Sequence, residues 1–277
     1  MKTKRFVFSI ILAWVALTLV HYIIGMIAPL KTDVHGGALT WSICANLLVT
    51  VVLAFAAVRS GWKGYRLGLA LFAAIFGVAA INLIEAAVFL TNTGMNWLSD
   101  LAQTLVVYAL VSALWTVMYE RIVPAPLAQE SSFVQALPRT LFFRFAACSA
   151  VYLILYIAAG MIIYPYVRDY YATQRIPSFG EMILLQLLVR GPAFTAICIL
   201  LIRMLRVEGL LGAVCVGAAF TILTAVAPLL PPNPVFPDSV RWVHMGEAGT
   251  SNFLFGSFVF WMMHPRRKTV MAAHPAV

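Results

Sequence analysis

Long apolar runs recur along the chain, each closed by a short segment carrying charge, proline or glycine. A hydrocarbon core about 30 Å thick takes about 20 apolar residues as helix. Eight runs reach that length, near 6–29, 38–58, 67–90, 99–119, 141–164, 181–203, 209–230 and 240–263. The pattern predicts an all-α, polytopic helical bundle of about eight transmembrane helices. The first run follows Met1-Lys-Thr-Lys-Arg5, as the core of a secretory leader would, but it stays apolar for over twenty residues without a clear small-x-small cleavage site. It is therefore read as a retained span.

The longest polar interruption runs from Glu120 to Pro138 and contains three prolines. It predicts a first four-span half over 1–119, a cytoplasmic linker over 120–139 and a second four-span half over 140–277. Gly25-Met26-Ile27 near the end of the first span and Gly160-Met161-Ile162 in the fifth, each a few residues after a tyrosine (Tyr22, Tyr156), are a weak sign of duplication. Four spans per half would give both halves the same orientation, with a pocket between them.

Composition agrees with a membrane protein: 62% of residues are apolar and 10% charged, against roughly 45–50% and about 25% in soluble domains. The net charge of +9 does not point to nucleic acid, because the basic residues lie between apolar runs. With the N-terminus inside, fourteen Lys and Arg fall on the inner side, while only Lys31, Arg168, Arg175 and Arg241 fall outside. The positive-inside rule thus predicts cytoplasmic N- and C-termini in a plasma or inner membrane. Trp41, Trp97 and Trp242 at outer span ends, and Trp62 inside, fit interfacial anchors. Cys44, Cys148, Cys198 and Cys215 are far apart within apolar runs and read as small buried hydrophobes, with no disulfide framework or zinc motif.

Polar side chains are distributed unevenly. His21, Asn82, Glu85, Asp100, Gln103, Glu181, Gln186, Arg190, His244, Glu247, Ser251 and Asn252 all fall at mid-membrane or in the outer half of their spans. An ionisable group at a helix centre costs at least about 2.5–3.5 kcal/mol, so each needs a partner, water or a function. The distribution predicts a polar cavity open to the outside. Arg190 is the most costly residue, about 14 Å from the outer end of its span at 1.5 Å per residue. Gly191-Pro192 follows it, so the helix is expected to kink or restart there, with a positive N-terminus beside the guanidinium. Such a site suits an anion; the plainer alternative is an internal ion pair with Glu85. Asn82 and Glu85 share a helix face at i, i+3. His21, as a lone histidine, is as well explained by a hydrogen bond to a neighbour as by ligand binding, and His35, His264 and His274 carry little information.

The densest polar stretch is Val240 to Phe253, where a helix begun near Ser239 and capped by Asp238 would place His244, Glu247 and Ser251 on one stripe. His-x-x-Glu can supply two ligands to a divalent metal, with Glu85 and His21 as completing ligands. It also serves as a protonatable pair or a packing network. Tyr164-Pro-Tyr166-Val-Arg-Asp-Tyr170-Tyr171 suits an interfacial aromatic belt or a grip on a lipid headgroup. Nucleotide, hydrolase and metalloprotease motifs are missing.

Three readings follow. In the first, the chain is a small secondary-transporter-like protein that binds an anionic small molecule at Arg190, Glu85, Asn82, His21, His244 and Asn252. The second is an intramembrane enzyme acting on a lipid or isoprenoid at the outer leaflet, with His244, Glu247 and Glu85 catalytic and His244 and Glu247 holding any metal. The third is a non-catalytic membrane partner subunit.

Overall fold

The computed structural model describes residues 3–27, 36–89, 96–121, 138–174, 177–232 and 236–263. They form eight helices: α1 (Thr3–Ile27), α2 (Gly36–Ser60), α3 (Gly64–Phe89), α4 (Trp97–Glu120), α5 (Pro138–Tyr171), α6 (Phe179–Leu205), α7 (Gly209–Leu229) and α8 (Asp238–Met263). No strand occurs among the described residues. Most of the linker, 122–137, lies outside them, as do His35, His264 and His274.

Seven helices, α1 to α7, are long and apolar enough to cross a membrane, so the chain is a membrane-spanning helical protein. The expected eighth span is present as α8, whose 26 residues extend about 39 Å. It does not join the seven on composition, because Asp238, Arg241, His244, Glu247 and Asn252 interrupt its apolar surface. Large apolar side chains such as Leu210, Ile162 and Phe142 face outward, as lipid contact requires. The interior holds many alanines beside Trp115, Phe194, Phe220 and Phe255, and such small residues let helix backbones approach closely.

Contacts between helix ends show the up-and-down course of the chain. Arg59 at the end of α2 donates to the last carbonyls of α6, Leu205 O at 2.6 Å and Arg206 O at 3.2 Å. Arg144 near the start of α5 donates to Met262 O of α8 at 3.2 Å. At the opposite end, Trp41 of α2 meets Trp242 of α8, and Arg241 of α8 donates to Leu229 O and Leu230 O at the end of α7. Each arginine supplies donors to helix C-terminal carbonyls that have no partner within their own helix. The turn from α2 to α3 is three residues, 61–63, with Gly61 and then Gly64 at positive φ, a conformation that glycine adopts without a Cβ penalty.

Both prolines within α6 and α7 follow a widened turn. Residues 185–190 and 222–226 are π-helical, and the next residues donate five back, Gly191 N–H to Gln186 O and Ala227 N–H to Ile222 O. Pro192 and Pro228 come directly after. In a regular α-helix each ring would collide with the carbonyl four residues earlier; the extra residue per turn relieves this and keeps the helix continuous. The restart expected at Gly191-Pro192 is thus replaced by a π turn, and no separate half-helix points its N-terminus at Arg190. Gly191 also touches α5, where a Cβ would stand 2.9 Å from Ser149 O.

Helices α7 and α8 meet backbone to backbone. A Cβ on Gly256 would stand 3.0 Å from Gly217 Cα, and one on Gly217 would stand 2.8 Å from the Phe253 carbonyl. Gly217→Val is therefore expected to destabilise the detergent-solubilised protein by about 1–3 kcal/mol through overpacking. Gly160→Ala, where the added Cβ meets nothing within 4 Å, is expected to cost nothing. Thermal unfolding of the two variants checks this, and equal midpoints would contradict the close contact.

Candidate functional site

Arg190, buried at 7% exposure, closes the π turn of α6. One turn earlier, Gln186 faces the same way and is fully buried. From α3, Asn82 and Glu85 project toward them on one face, as their spacing requires. Arg190 Nη1 donates to Glu85 Oε1 in a short ion pair, and Gln186 Nε2 donates to the same oxygen at 3.4 Å. Arg190 Nη2 reaches Asn82 Oδ1 at 3.4 Å.

The network continues into the second π turn. Asn82 Nδ2 donates to Thr224 O at 3.0 Å, which also fixes its Oδ1 toward Arg190. Asn252 Nδ2, from α8, donates to Thr224 Oγ1 at 3.0 Å. One polar chain thus crosses α3, α6, α7 and α8 and passes through both widened turns. Three aromatic rings surround its cation. The guanidinium carbon lies 5.0 Å from the Phe194 ring centroid, 5.6 Å from Tyr152 and 5.7 Å from Tyr156. Such contacts are worth about 2 kcal/mol each when desolvated.

A second polar pair lies on α8 toward its Asp238 end. His244 Nδ1 stands 2.8 Å from Glu247 Oε2, with the imidazole a quarter exposed and the carboxylate only 6% exposed. Phe236 packs on His244 at 5.0 Å, and Tyr170 on Phe236 at 5.8 Å. Glu247 is in electrostatic contact with Arg190, Tyr152 and Tyr171. The His244–Glu247 pair therefore borders the Arg190 group.

Of the residues singled out in the sequence, Asn82, Glu85, Arg190 and Asn252 come together, with His244 and Glu247 beside them. His21 does not join this group: its ring packs edge-on against Tyr108 of α4 at 5.7 Å, because α1 lies against α2 and α4. The completing metal ligands suggested by the sequence are thus engaged elsewhere, Glu85 by Arg190 and His21 by Tyr108. Among the described residues, no group of three or more His, Cys, Asp or Glu could hold a metal ion. Other polar residues serve helix starts. Glu181 and Ser178 form a capping box at α6, Asn96 accepts from Ser99 N–H at α4, and Asp238 binds Arg241 at 2.9 Å.

Sequence reasoning missed Thr224, Tyr152, Tyr156 and Phe194 as members of the group. A signal existed for two of them, since Tyr152 and Tyr156 share a face of α5 at i, i+4. Thr224 carries a weaker one, four residues ahead of Pro228. Comparison with known proteins finds no matching family model, no matching curated sequence and no matching solved structure.

A buried pair that loses one partner leaves an uncompensated charge. Glu85→Leu and Arg190→Met are each expected to lower unfolding stability by about 3–5 kcal/mol, and the two together to recover most of that loss. A double-mutant cycle by thermal unfolding in detergent measures the coupling. Additive losses would show that the two side chains do not depend on each other.

Proposed function

We propose that this protein is a small secondary transporter that carries an anionic small molecule together with a proton. Arg190 is the anion-binding group and Glu85 its internal counter-ion. The observation that carries the reading is the buried Arg190 guanidinium held by the Glu85 carboxylate, at a place where two helices are widened by π turns. Structural ion pairs also occur in membranes, but ion pairs at breaks in helical regularity are a recurrent feature of substrate sites.

Coupling follows from charge. In the resting site, Arg190 and Glu85 cancel. An arriving anion puts two negative charges on one guanidinium in a low-dielectric setting, an excess charge that one proton cancels. Glu85 takes up a proton, the anion occupies Arg190, and the loaded site is again neutral for a monovalent substrate. By reciprocity, protonation of Glu85 strengthens anion binding by the same factor. His244, more exposed than Glu85, is suited to receive the proton first and to pass it on through Glu247.

The site also supports the reading of two halves. Asn82 and Glu85 come from the first four helices, whereas Arg190, Gln186, Thr224 and Asn252 come from the last four. Motion of one group against the other would open or close it. The orientation proposed with this function has both termini in the cytoplasm, with the His244 end of the site toward the outside.

Reconstituted vesicles test the function. With a trapped pH indicator and an inward proton gradient, adding an anion (benzoate, succinate, inorganic phosphate or sulfate) is expected to speed acidification beyond the rate in protein-free vesicles for at least one of them. Glu85→Gln should retain anion binding but lose its pH dependence, and Arg190→Ala should abolish anion-driven proton entry. Rates equal to those of protein-free vesicles for every anion would overturn the proposal. Orientation is read separately: a cysteine added after Val277 should resist a membrane-impermeant maleimide in intact cells and react once the membrane is opened.

A further inference from the structure

The guanidinium of Arg190 has two edges on which an acceptor can bind with two parallel hydrogen bonds. At the distal edge, Nη1 donates to Glu85 and, at 3.5 Å, to Gln186 Oε1. At the lateral edge, Nη2 has the long 3.4 Å contact with Asn82. Nε is buried and has no hydrogen-bond partner among the described residues. A buried N–H on a charged group without an acceptor is costly, because the water it gave up is not replaced. The cation is therefore only partly served by its own chain, and the unserved edge is the one formed by Nε and Nη2.

The surroundings restrict what can complete that edge. Phe194, Tyr152 and Tyr156 confine the space around the guanidinium carbon at 5.0–5.7 Å. The nearby amide nitrogens each already direct one N–H within the network, Asn82 Nδ2 to Thr224 O and Gln186 Nε2 to Glu85. A carboxylate is planar and puts both oxygens in the guanidinium plane, one on Nε–H and one on Nη2–H. Phosphate or sulfate carries further oxygens out of that plane, toward the aromatic rings.

We infer that the site selects a monocarboxylate with an apolar body, bound sideways to Arg190 through Nε and Nη2, over tetrahedral oxyanions. This rests on the transport reading above and specifies its substrate class. The aromatic rings accommodate the apolar body, and Glu85 stays on Nη1, where it is positioned to take the coupling proton.

Titrations of the purified full-length chain, followed by its thermal unfolding midpoint at constant ionic strength, test the inference. The probes are benzoate, its neutral analogue benzamide, inorganic phosphate and sulfate. Benzoate is expected to raise the midpoint saturably and to half-saturate at a concentration roughly tenfold or more below phosphate or sulfate; benzamide is expected to have no effect. Arg190→Lys keeps the charge but loses the two-pronged edge, and should weaken benzoate binding roughly ten- to hundredfold. If that variant does not fold, the ranking on the unaltered protein decides. Phosphate or sulfate matching benzoate would overturn carboxylate selection and leave anion transport standing. Benzamide matching benzoate would reduce the effect to apolar partitioning and overturn the inference. No response to any anion would remove the transport reading as well.

Discussion

A positive charge in the interior of a membrane protein has to be compensated there, and the arrangement around Arg190 follows from that constraint. The guanidinium is out of reach of bulk water, so Glu85 must lie beside it, which brings α3 against α6. Gln186 and Asn82 then add hydrogen bonds to the two charged groups, with Nε of Arg190 left over. Through Asn82 the same requirement extends to Thr224, and through Thr224 to Asn252, so that four helices are held by one connected set of polar contacts. In hydrocarbon these contacts have no competitor in water, which makes their completeness more important than the strength of any one.

The two π turns belong to the same logic. A proline in a span removes a donor and obstructs a carbonyl, and the chain must satisfy its backbone internally. Widening the preceding turn achieves this while leaving a region of looser hydrogen bonding. In α6 that region presents Gln186 and Arg190, and in α7 it presents Thr224. The residues that carry charge or bind it are therefore placed where the helices deform most easily. The helix ends obey the same rule by another route, with Arg59, Arg144 and Arg241 serving carbonyls of neighbouring helices.

Helix α8 shows how far tertiary packing can relax the demand for apolarity. Its first half carries an arginine, a histidine and two carboxylates, yet it packs along α5 and α7 within the bundle. Arg241 is 1% exposed but has Asp238, two carbonyls and the Trp242 ring as partners. Glu247 has His244 and lies in the field of Arg190. Each charge is tolerated because a partner one turn away on α8, or the carbonyls at the end of α7, supplies its complement.

Much of the architecture was legible from the sequence, because a bilayer imposes one length and one polarity on every span, and local runs satisfy both without reference to other helices. The helical bundle of about eight helices and the shared face of Asn82 and Glu85 are of this kind. Arg190 stood out for the same local reason, as a charge where a charge is expensive. Which residues would meet it was not a local matter. Depth alone made Glu85 a candidate and could not exclude His21, which α1 carries to Tyr108 on another face of the bundle. The aromatic cage, the link through Thr224 and the continuity of α6 past Pro192 depend on helix rotation and on contacts between residues about 30 to 140 positions apart, and side-chain periodicity holds no record of those. The sequence by itself determined that the chain spans a membrane as helices and that Arg190 needs compensation; only the tertiary structure decided how it is compensated, because a partner for a buried charge is chosen by packing across helices and not by position along one.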